Sequence, residues 1–329
     1  MSFDNVLGQE TVITILQNAL TKDRLSHAYI FTGRQGVGKG STAFEFAKAA
    51  NCLEKNDDAC DSCLSCRKAN NGNHPDIKEI KADGSAIKID QIRELQQEIM
   101  YKPYESKKKV YIIHQAEDLT LSAANSLLKT LEEPPDYAII ILLVNNLNQL
   151  LATTISRCQL LRFKRISYDL IKKNLVQDYD LSPAKGQLIA SLADGRYDYA
   201  CQLVENEEQL EIREEIIQFL IEFSNIDKVE LFEKVQELLN YKDEINKIVE
   251  IMITWYRDLL LLNLGQENKI INADYVEQLK QNLAEFKIDE IEKIIEILEN
   301  SNELIKNYNV NLQLSLEVMF LKVKRIRRF

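Results

Sequence analysis

The stretch GRQGVGKGST, residues 33–42, contains most of the residue types that bind the phosphates of a nucleotide. Phosphate loops follow G-x-x-x-x-G-K-[ST], where glycines turn backbone N–H groups towards phosphate oxygens and the lysine reaches the terminal phosphates. The hydroxyl that binds Mg²⁺ is missing because Gly40 occupies its position. Ser41 comes one residue later, about 100° further round the following helix, and is a poor substitute. The candidate nucleotide-binding residues are Gly33, Gly36, Gly38, Lys39, Gly40 and Ser41.

A second position that handles the metal in nucleotide hydrolases is also changed. These enzymes place an Asp at the end of a neighbouring apolar strand, often followed by a Glu that activates water. Here the strand VYII, residues 110–113, is followed by His114 and Gln115, which supply no ionised carboxylate. Glu117 and Asp118 come next, and we interpret them as charges at the start of the following helix. Two altered positions predict a degenerate nucleotide site that does not hydrolyse ATP.

Four cysteines with the spacing C-x7-C-x2-C-x2-C predict a structural metal site. A C-x2-C pair brings two thiolates to one ion, and four thiolates complete a tetrahedral zinc site with no open position for catalysis. The alternative is four reduced free thiols. We interpret His74 as a loop residue, and the isolated Cys158 and Cys201 as packing cysteines. The candidate zinc ligands are Cys52, Cys60, Cys63 and Cys66.

Strands and helices alternate through the first half of the chain. The predicted strands are 28–31, 77–81, 109–113, 138–144 and 158–163, and the predicted helices between them include 41–53, 90–100 and 116–133. Such alternation predicts a mainly parallel sheet that is covered on both faces by helices. The glycine-rich loop then lies between a strand and a helix, which is the context that a phosphate loop requires.

Helical patterns fill the rest of the chain. Three short helices are predicted at 167–178, 182–193 and 195–206, and longer amphipathic helices include 244–264 and 288–307. Their broad apolar faces predict a packed bundle. We therefore expect three domains: an α/β domain at 1–165 with a zinc module at 52–66, a small helical lid at 166–205, and a helical domain at 206–329.

Composition restricts the classes of function. The 329 residues are 45% hydrophobic and 28% charged, which is typical of a soluble globular protein, and the formal net charge is −10. This acidic balance argues against a protein that coats nucleic acid over its whole surface, although a local basic face is compatible with it. No apolar run suits a membrane span, the first ten residues lack signal-peptide features, and clustered cysteines indicate a reducing compartment. The expected location is cytoplasmic.

Four features together closely resemble bacterial clamp-loader subunits, the AAA+ proteins of the DNA polymerase III holoenzyme. They are SHAYIFTGRQGVGKG, the zinc cysteines, AANSLLKTLEEPP at 123–135, and TISRCQ at 154–159. The resemblance covers about residues 1–205 well. It implies an α/β AAA+ fold with phosphate-loop topology and a zinc module, then a helical lid and an all-α collar domain through which subunits assemble.

Two subunit types of this family carry such features. The gamma/tau subunits are ATPases with an intact loop and an Asp-Glu pair where this chain has His114 and Gln115. The delta-prime type has a degenerate loop and keeps a Ser-Arg-Cys motif, which corresponds to 156–158 here. The sequence resembles the delta-prime type. Asp198 also lies about where the ATPases place a phosphate-sensing Arg, and a tau chain is expected to continue beyond the collar.

The resemblance implies a role for Arg157, flanked by Ser156 and Cys158, at the ATP of a neighbouring subunit. There it acts as an arginine finger, because a guanidinium offers charge-assisted donors to oxygens that gain charge during phosphoryl transfer. The structural alternative is a salt bridge at the start of a strand.

The implied function is a non-hydrolysing stator that helps load the sliding clamp on primed DNA. Its partners are the gamma/tau and delta subunits and, through the complex, the clamp and primer–template DNA, with no membrane. One alternative is a divergent gamma/tau-like ATPase that uses Lys39, Ser41 and Glu117. A second is a separate zinc-containing DNA-binding protein, which the acidic charge disfavours. Whether ATP or ADP still binds the loop is left open by the sequence.

Overall fold

A computed structural model of the chain describes residues 2–84, 86–206, 208–223, 225–307 and 310–326. The chain forms two compact units. One comprises Met1–Asn174 with Gly195–Tyr199, and the other comprises Leu175–Asp194 with Ala200–Phe329. Within the described ranges, no helix combines the length and apolar character that a membrane span requires. The division into domains at residues 165 and 205 stays a prediction.

Five parallel strands form the sheet of the first unit. They are Ala28–Thr32 (β1), Ile77–Ile80 (β2), Lys109–Ile113 (β3), Ala138–Val144 (β4) and Gln159–Arg162 (β5). Their order across the sheet is β2-β3-β4-β1-β5. In register, Ala28 lies opposite Ile140 and Tyr29 opposite Gln159. The five predicted strands and their parallel pairing are thus confirmed, with ends that shift by one residue at most.

Helices cover both faces of this sheet, as predicted. The helices of the first unit are Glu10–Thr21 (α1), Lys39–Ala50 (α2), Leu64–Asn70 (α3), Ile89–Ile99 (α4), Leu121–Glu132 (α5) and Ala152–Ile155 (α6). Because side chains alternate along a strand, Tyr29 of β1 joins a core with Leu16 and Phe46, whereas Ile30 joins another with Ile92 and Leu127. The first core contains residues of α1 and α2, and the second contains residues of α4 and α5.

The continuous helix predicted at 116–133 is wrong. Ala116–Asp118 forms a single 3-10 turn, and Leu119 is extended with φ −61° and ψ 126°. Leu119 makes a parallel bridge to Ile87. The hydroxyl of Thr120 then accepts the N–H of Ala123 and caps α5. Glu117 therefore lies outside the first turn of α5, because a tertiary bridge interrupts the helical pattern.

The elements that the structure describes after β5 are all helices. Tyr168–Asp178 (α7), Pro183–Ala193 (α8) and Tyr197–Glu205 (α9) come first, with the hydroxyl of Ser182 capping α8. They are followed by Glu208–Glu222 (α10), Lys228–Leu238 (α11), Ile245–Asn263 (α12), Val276–Leu283 (α13), Ile288–Asn307 (α14) and Leu312–Ile326 (α15). Phe219, Phe223 and Phe320 contact one another in the core of the second unit, where Trp255 is also buried. This unit is the helical bundle that the apolar periodicity predicts.

Candidate functional site

The glycine-rich loop joins β1 to α2 in the strand–loop–helix order of a phosphate loop. Gly36 and Gly38 have φ values of 80° and 90°, in the left-handed region that favours glycine. A Cβ atom at Gly36 would lie 2.9 Å from the Cβ of Arg196, so this position has no room for a side chain. The glycine pattern is therefore required by the turn itself and by a close approach of the chain.

The end of β5 is fixed against this loop. A Cβ atom at Gly33 would lie 2.9 Å from the carbonyl oxygen of Phe163. Buried Gln9 donates its side-chain amide to the carbonyl oxygens of Val37 and Lys164, at 3.1 and 2.8 Å. It also accepts the N–H of Lys164 at 3.1 Å. The Gln9 side chain thus joins Lys164, which follows β5, to Val37, which precedes α2.

Lys39 is held by acceptors within the chain. Its ammonium donates to the carbonyl oxygens of Gly33 and Arg34 and, at 2.8 Å, to Oδ1 of Asn145. Burial lowers the pKa of Lys39 to about 8, although the Glu117 and Asp198 carboxylates act in the opposite direction. An ammonium has three N–H donors, and three protein oxygens accept them here. The group that reaches nucleotide phosphates in a working loop is therefore saturated by the protein.

His114 lies beside Gly40, the position at which a working phosphate loop carries its metal-binding hydroxyl. A Cβ atom at Gly40 would lie 3.9 Å from Cε1 of His114 and 3.9 Å from Cδ1 of Leu143, which is ordinary contact. Packing therefore does not exclude a serine at this position. Nε2 of His114 lies 3.0 Å from a carboxylate oxygen of Glu79, and burial lowers the pKa of this histidine although Glu79 raises it. Ser41 is exposed. A Cβ atom therefore fits at Gly40, but the glycine itself carries no hydroxyl that could bind a metal.

Two side chains of this site have positions that the sequence did not predict. Glu117, interpreted from sequence as a helix-terminal charge, accepts the N–H of Asn145 through Oε1 at 2.9 Å. Its Oε2 is buried and has no hydrogen-bond partner among the described residues. Asn145 was missed altogether, although it directly follows β4 and so had to lie at the carboxyl edge of the sheet beside the loop. Asp198 also adjoins the loop, since its N–H donates to the carbonyl oxygen of Gly36 at 3.3 Å.

The four predicted cysteine ligands lie together beyond the C-terminal end of α2. Their Sγ atoms are all within 4.8 Å of one another, and those of Cys60 and Cys66 are 4.0 Å apart. Tetrahedral zinc with bonds of about 2.3 Å places its sulfurs about 3.8 Å apart. The sulfurs of this cluster would therefore move slightly closer together to bind zinc. Backbone N–H groups of Lys55, Cys63 and Cys66 point at three of the sulfurs. The donor set fits a metal that prefers thiolates.

Neighbouring side chains attach this cluster to α2 without using its sulfurs. Fully buried Lys48 contacts Glu45 and Asp61, each at 2.7 Å, and donates to Oδ1 of Asn70 at 3.0 Å. Asp61 lies between two of the cysteines in sequence, so the ion pair fixes the loop that carries them. His74 contacts the hydroxyl of Ser65 at 3.1 Å and accepts a backbone N–H, which agrees with its interpretation as a loop residue.

Arg157 lies at the amino ends of the parallel strands, because it precedes β5. The phosphate loop follows β1 and lies at their carboxyl ends. Its side chain is 33% exposed. Nη1 donates to the carbonyl oxygen of Thr153 at 2.8 Å, and Nη2 donates to Oε1 of Glu132 at 2.6 Å. Arg157 therefore forms a salt bridge, although its partner ends α5 and does not begin a strand. The hydroxyl of Ser156 donates to the same carbonyl oxygen of Thr153, and burial raises the pKa of the half-buried Cys158 to about 12.

The predicted site residues therefore form three separate groups within the first unit. The phosphate-loop residues lie with Asn145, Glu117 and Asp198, the cysteines form their own cluster, and Arg157 is paired with Glu132 at the amino ends of the strands. Arg157 is consequently no part of the chain's own phosphate loop.

Two protein families match successive parts of the chain. The one described as DNA polymerase III, delta subunit, matches residues 8–167, and the one described as DNA polymerase III, delta subunit, C terminal, matches residues 207–325. Both compact units therefore contain regions with relatives among the subunits of one polymerase.

Individual relatives agree with these matches. The chain is 36% identical over 307 residues to the DNA polymerase III subunit delta' of Bacillus subtilis, covering 92% of each chain. It is 34% identical over 328 residues to the tau subunit of the same organism, covering 92% of this chain but 58% of tau. A DNA polymerase III gamma subunit-related protein from Thermotoga maritima has the same fold, with a TM-score of 0.52 and 19% identity over 97% of this chain and 99% of that one.

Proposed function

Because this chain belongs to the DNA polymerase III delta-prime family of clamp-loader subunits, we propose that it supplies Arg157 to ATP on a neighbouring subunit and hydrolyses none itself. The observation that carries this proposal is the contrast between two cations. Lys39, which belongs to the chain's own loop, is saturated by protein acceptors, whereas Arg157 lies partly exposed at the amino ends of the strands.

The guanidinium of Arg157 keeps donors for such a role. A guanidinium has five N–H donors, and Thr153 and Glu132 each accept one at short distance. Nη1 also contacts the Ser156 hydroxyl oxygen at 3.4 Å, and the two donors on Nε and Nη2 that remain suit the planar, charge-assisted recognition of phosphate oxygens. An arginine supplied in trans makes hydrolysis depend on assembly, because a separated neighbour lacks one of its charge-stabilising groups.

The chain's own loop is proposed to be a degenerate nucleotide site. Lys39, Gly40 and His114 support this, because the lysine is saturated and the metal positions carry neither a hydroxyl nor a carboxylate. Such a subunit acts as a stator, which keeps one arrangement while its neighbours bind and release ATP. Its proposed partners are the gamma/tau and delta subunits, the sliding clamp and primer–template DNA, with residues 206–329 as the collar through which the complex assembles.

We further propose that the ion held by the cysteine cluster is structural zinc. Zinc would bind four thiolates, offset half of their negative charge, and join the loop that follows α2 to α3, with Cys52, Cys60, Cys63 and Cys66 as its ligands. Four protein ligands leave no position for a substrate. The resulting module is a folding element of the first unit and takes no part in phosphoryl transfer.

The decisive experiment is Arg157→Ala in a loader reconstituted with its gamma/tau and delta partners. We expect DNA-stimulated ATP hydrolysis to fall about 10³-fold, the lower end of the effect of an arginine finger. The thermal unfolding of the isolated variant should be unchanged, since an exposed ion pair contributes little. Arg162→Ala, at the other end of β5, is the matched control and should hydrolyse normally. Normal turnover by the Arg157→Ala complex would refute the proposal.

One observation supports the alternative of a divergent ATPase. The unpartnered Oε2 of Glu117 lies on the carboxylate that interacts with Lys39, where a cation or water could bind. This alternative predicts ATP turnover by the isolated chain that Lys39→Ala abolishes. We expect no turnover by the isolated chain, with or without DNA.

A further inference from the structure

We propose that Glu132 is a positioning residue that holds the Arg157 guanidinium ready for the phosphate of the neighbouring subunit. This inference rests on the proposed function and adds a second residue to it. Glu132 is the last residue of α5, and its Oε1 accepts Nη2 of Arg157 at 2.6 Å across 25 residues of sequence.

Arg157 has two short contacts, to Thr153 and Glu132, which belong to helical elements, and a longer contact of Nη1 with the Ser156 hydroxyl oxygen at 3.4 Å. Glu132 ends α5, in which Leu127 and Leu131 are buried, and α5 is bonded to α4 because Gln96 donates to the Ser126 carbonyl oxygen at 2.8 Å. Thr153 lies in α6, and the neighbouring Thr154 is buried. The two acceptors therefore keep a fixed separation, and the guanidinium that joins them has a fixed plane.

This arrangement lowers the cost of the catalytic contact. A free arginine side chain has several rotatable bonds, and ordering them when a phosphate arrives opposes the contact. Glu132 and Thr153 order the guanidinium before assembly, while Nε and the second hydrogen of Nη2 stay available to phosphate oxygens. The carboxylate acts through Arg157 and contacts no reacting atom, so its contribution should be that of an exposed ion pair.

The test compares Glu132→Ala, Glu132→Gln and Glu133→Ala in the reconstituted loader. Glu132→Ala should lower kcat for DNA-stimulated ATP hydrolysis about three- to five-fold, the size of an exposed ion-pair effect. KM for ATP should stay unchanged, because the contact matters most in the transition state. Glu132→Gln keeps an oxygen acceptor and should recover part of the loss. Glu133→Ala removes the same charge one residue later and should match the wild type.

A double variant separates positioning from a general structural effect. In the Arg157→Ala background, Glu132→Ala should cause no further loss, since no guanidinium remains to be held. An additional three- to five-fold loss in that background, or full activity of Glu132→Ala alone, would overturn the positioning role. If Arg157→Ala itself hydrolyses normally, the proposed function fails, which is a different result. Thermal unfolding of each variant, expected to match the wild type, checks that the chain folds.

Discussion

The two ends of helix α2 carry polar sites that are completed in different ways. At the N-terminal end, Lys39 finds three acceptors in the protein itself. Beyond the C-terminal end, Cys52 and three other cysteines place their sulfurs within 4.8 Å of one another. Thiolates at this separation repel one another and need a cation. The same helix therefore joins a phosphate-loop lysine that is bonded within the protein to a cysteine cluster that could hold a metal.

The comparison between the Lys39 loop and the cysteine cluster suggests how a site that keeps its ligand differs from a degenerate one. The glycine turns of the phosphate loop preserve its shape, so shape alone suggests a working site. The proposal that the loop is degenerate is supported instead by the three protein oxygens that accept hydrogen bonds from its lysine. Beside the cysteine cluster, the buried Lys48 pairs with Glu45 and Asp61. The cysteine sulfurs receive backbone N–H groups, and their close grouping fits a bound metal, whereas the loop lysine is already bonded to protein oxygens.

Of the changes at the two ends of α2, removal of the metal from the cysteine cluster should lower the stability of the first unit most. Cys63→Ser, or treatment with a chelator, should lower the unfolding temperature of the first unit by about 10 °C or more, because structural zinc contributes several kcal/mol to folding. Calorimetry measures the transition, and elemental analysis of the wild type should find about one zinc per chain. Cys158→Ser, outside the cluster, should keep its zinc. A wild-type chain with four reduced thiols and no zinc would contradict the assignment.

Replacement of the loop lysine should have an intermediate effect. Lys39→Met leaves Asn145 and two loop carbonyl oxygens without their donor. We expect the free energy of unfolding to fall by about 1–3 kcal/mol, the cost of buried groups that lose a hydrogen bond. Denaturant unfolding measures this change, with the exposed Lys102→Met as control. ATP hydrolysis by the reconstituted loader should stay within about two-fold of wild type. A stable variant whose loader is inactive would instead indicate a nucleotide-binding lysine.

The pH dependence of the difference in stability between the wild type and Lys39→Met should be the smallest effect. The pKa of Lys39 is lowered from 10.5 to about 8 in the folded protein. Between these values the unfolded chain binds more protons, so the contribution of Lys39 to stability rises with pH and is flat well below 8. Relative to Lys39→Met, the wild type should gain about 1 kcal/mol between pH 7 and pH 9. Unfolding at both pH values measures the gain, and a loss would contradict the buried, protonated lysine.

Much of the fold could be predicted because its strands are continuous apolar runs bounded by polar residues. Strands β3 and β4 match their predicted ranges residue for residue. The helix predicted at 116–133 was wrong because the bridge between Leu119 and Ile87 overrides the local pattern. Local periodicity has no information about a partner about thirty residues away.

The candidate sites were predictable to different degrees for the same reason. Cysteine spacing is local, and it predicted a cluster that the structure shows. The partners of Lys39 and Arg157 are distant in sequence, with Asn145 separated from Lys39 by 106 residues. Only the fold brings these pairs together. The proposed roles of Arg157, the loop residues and the zinc ligands stay predictions until the variants are measured.

Strand β5 has a mechanical consequence. It has four residues, with Arg157 two positions before its start and Phe163 directly after its end. Phe163 abuts Gly33, and Lys164 is bonded to Gln9. At about 3.3 Å per residue, the four residues of β5 span about 13 Å of the segment that joins Arg157 to Phe163. Pairing with β1 stiffens the segment between them. If contact with another subunit displaced Arg157, the paired strand β5 would therefore carry that displacement to the glycine-rich loop.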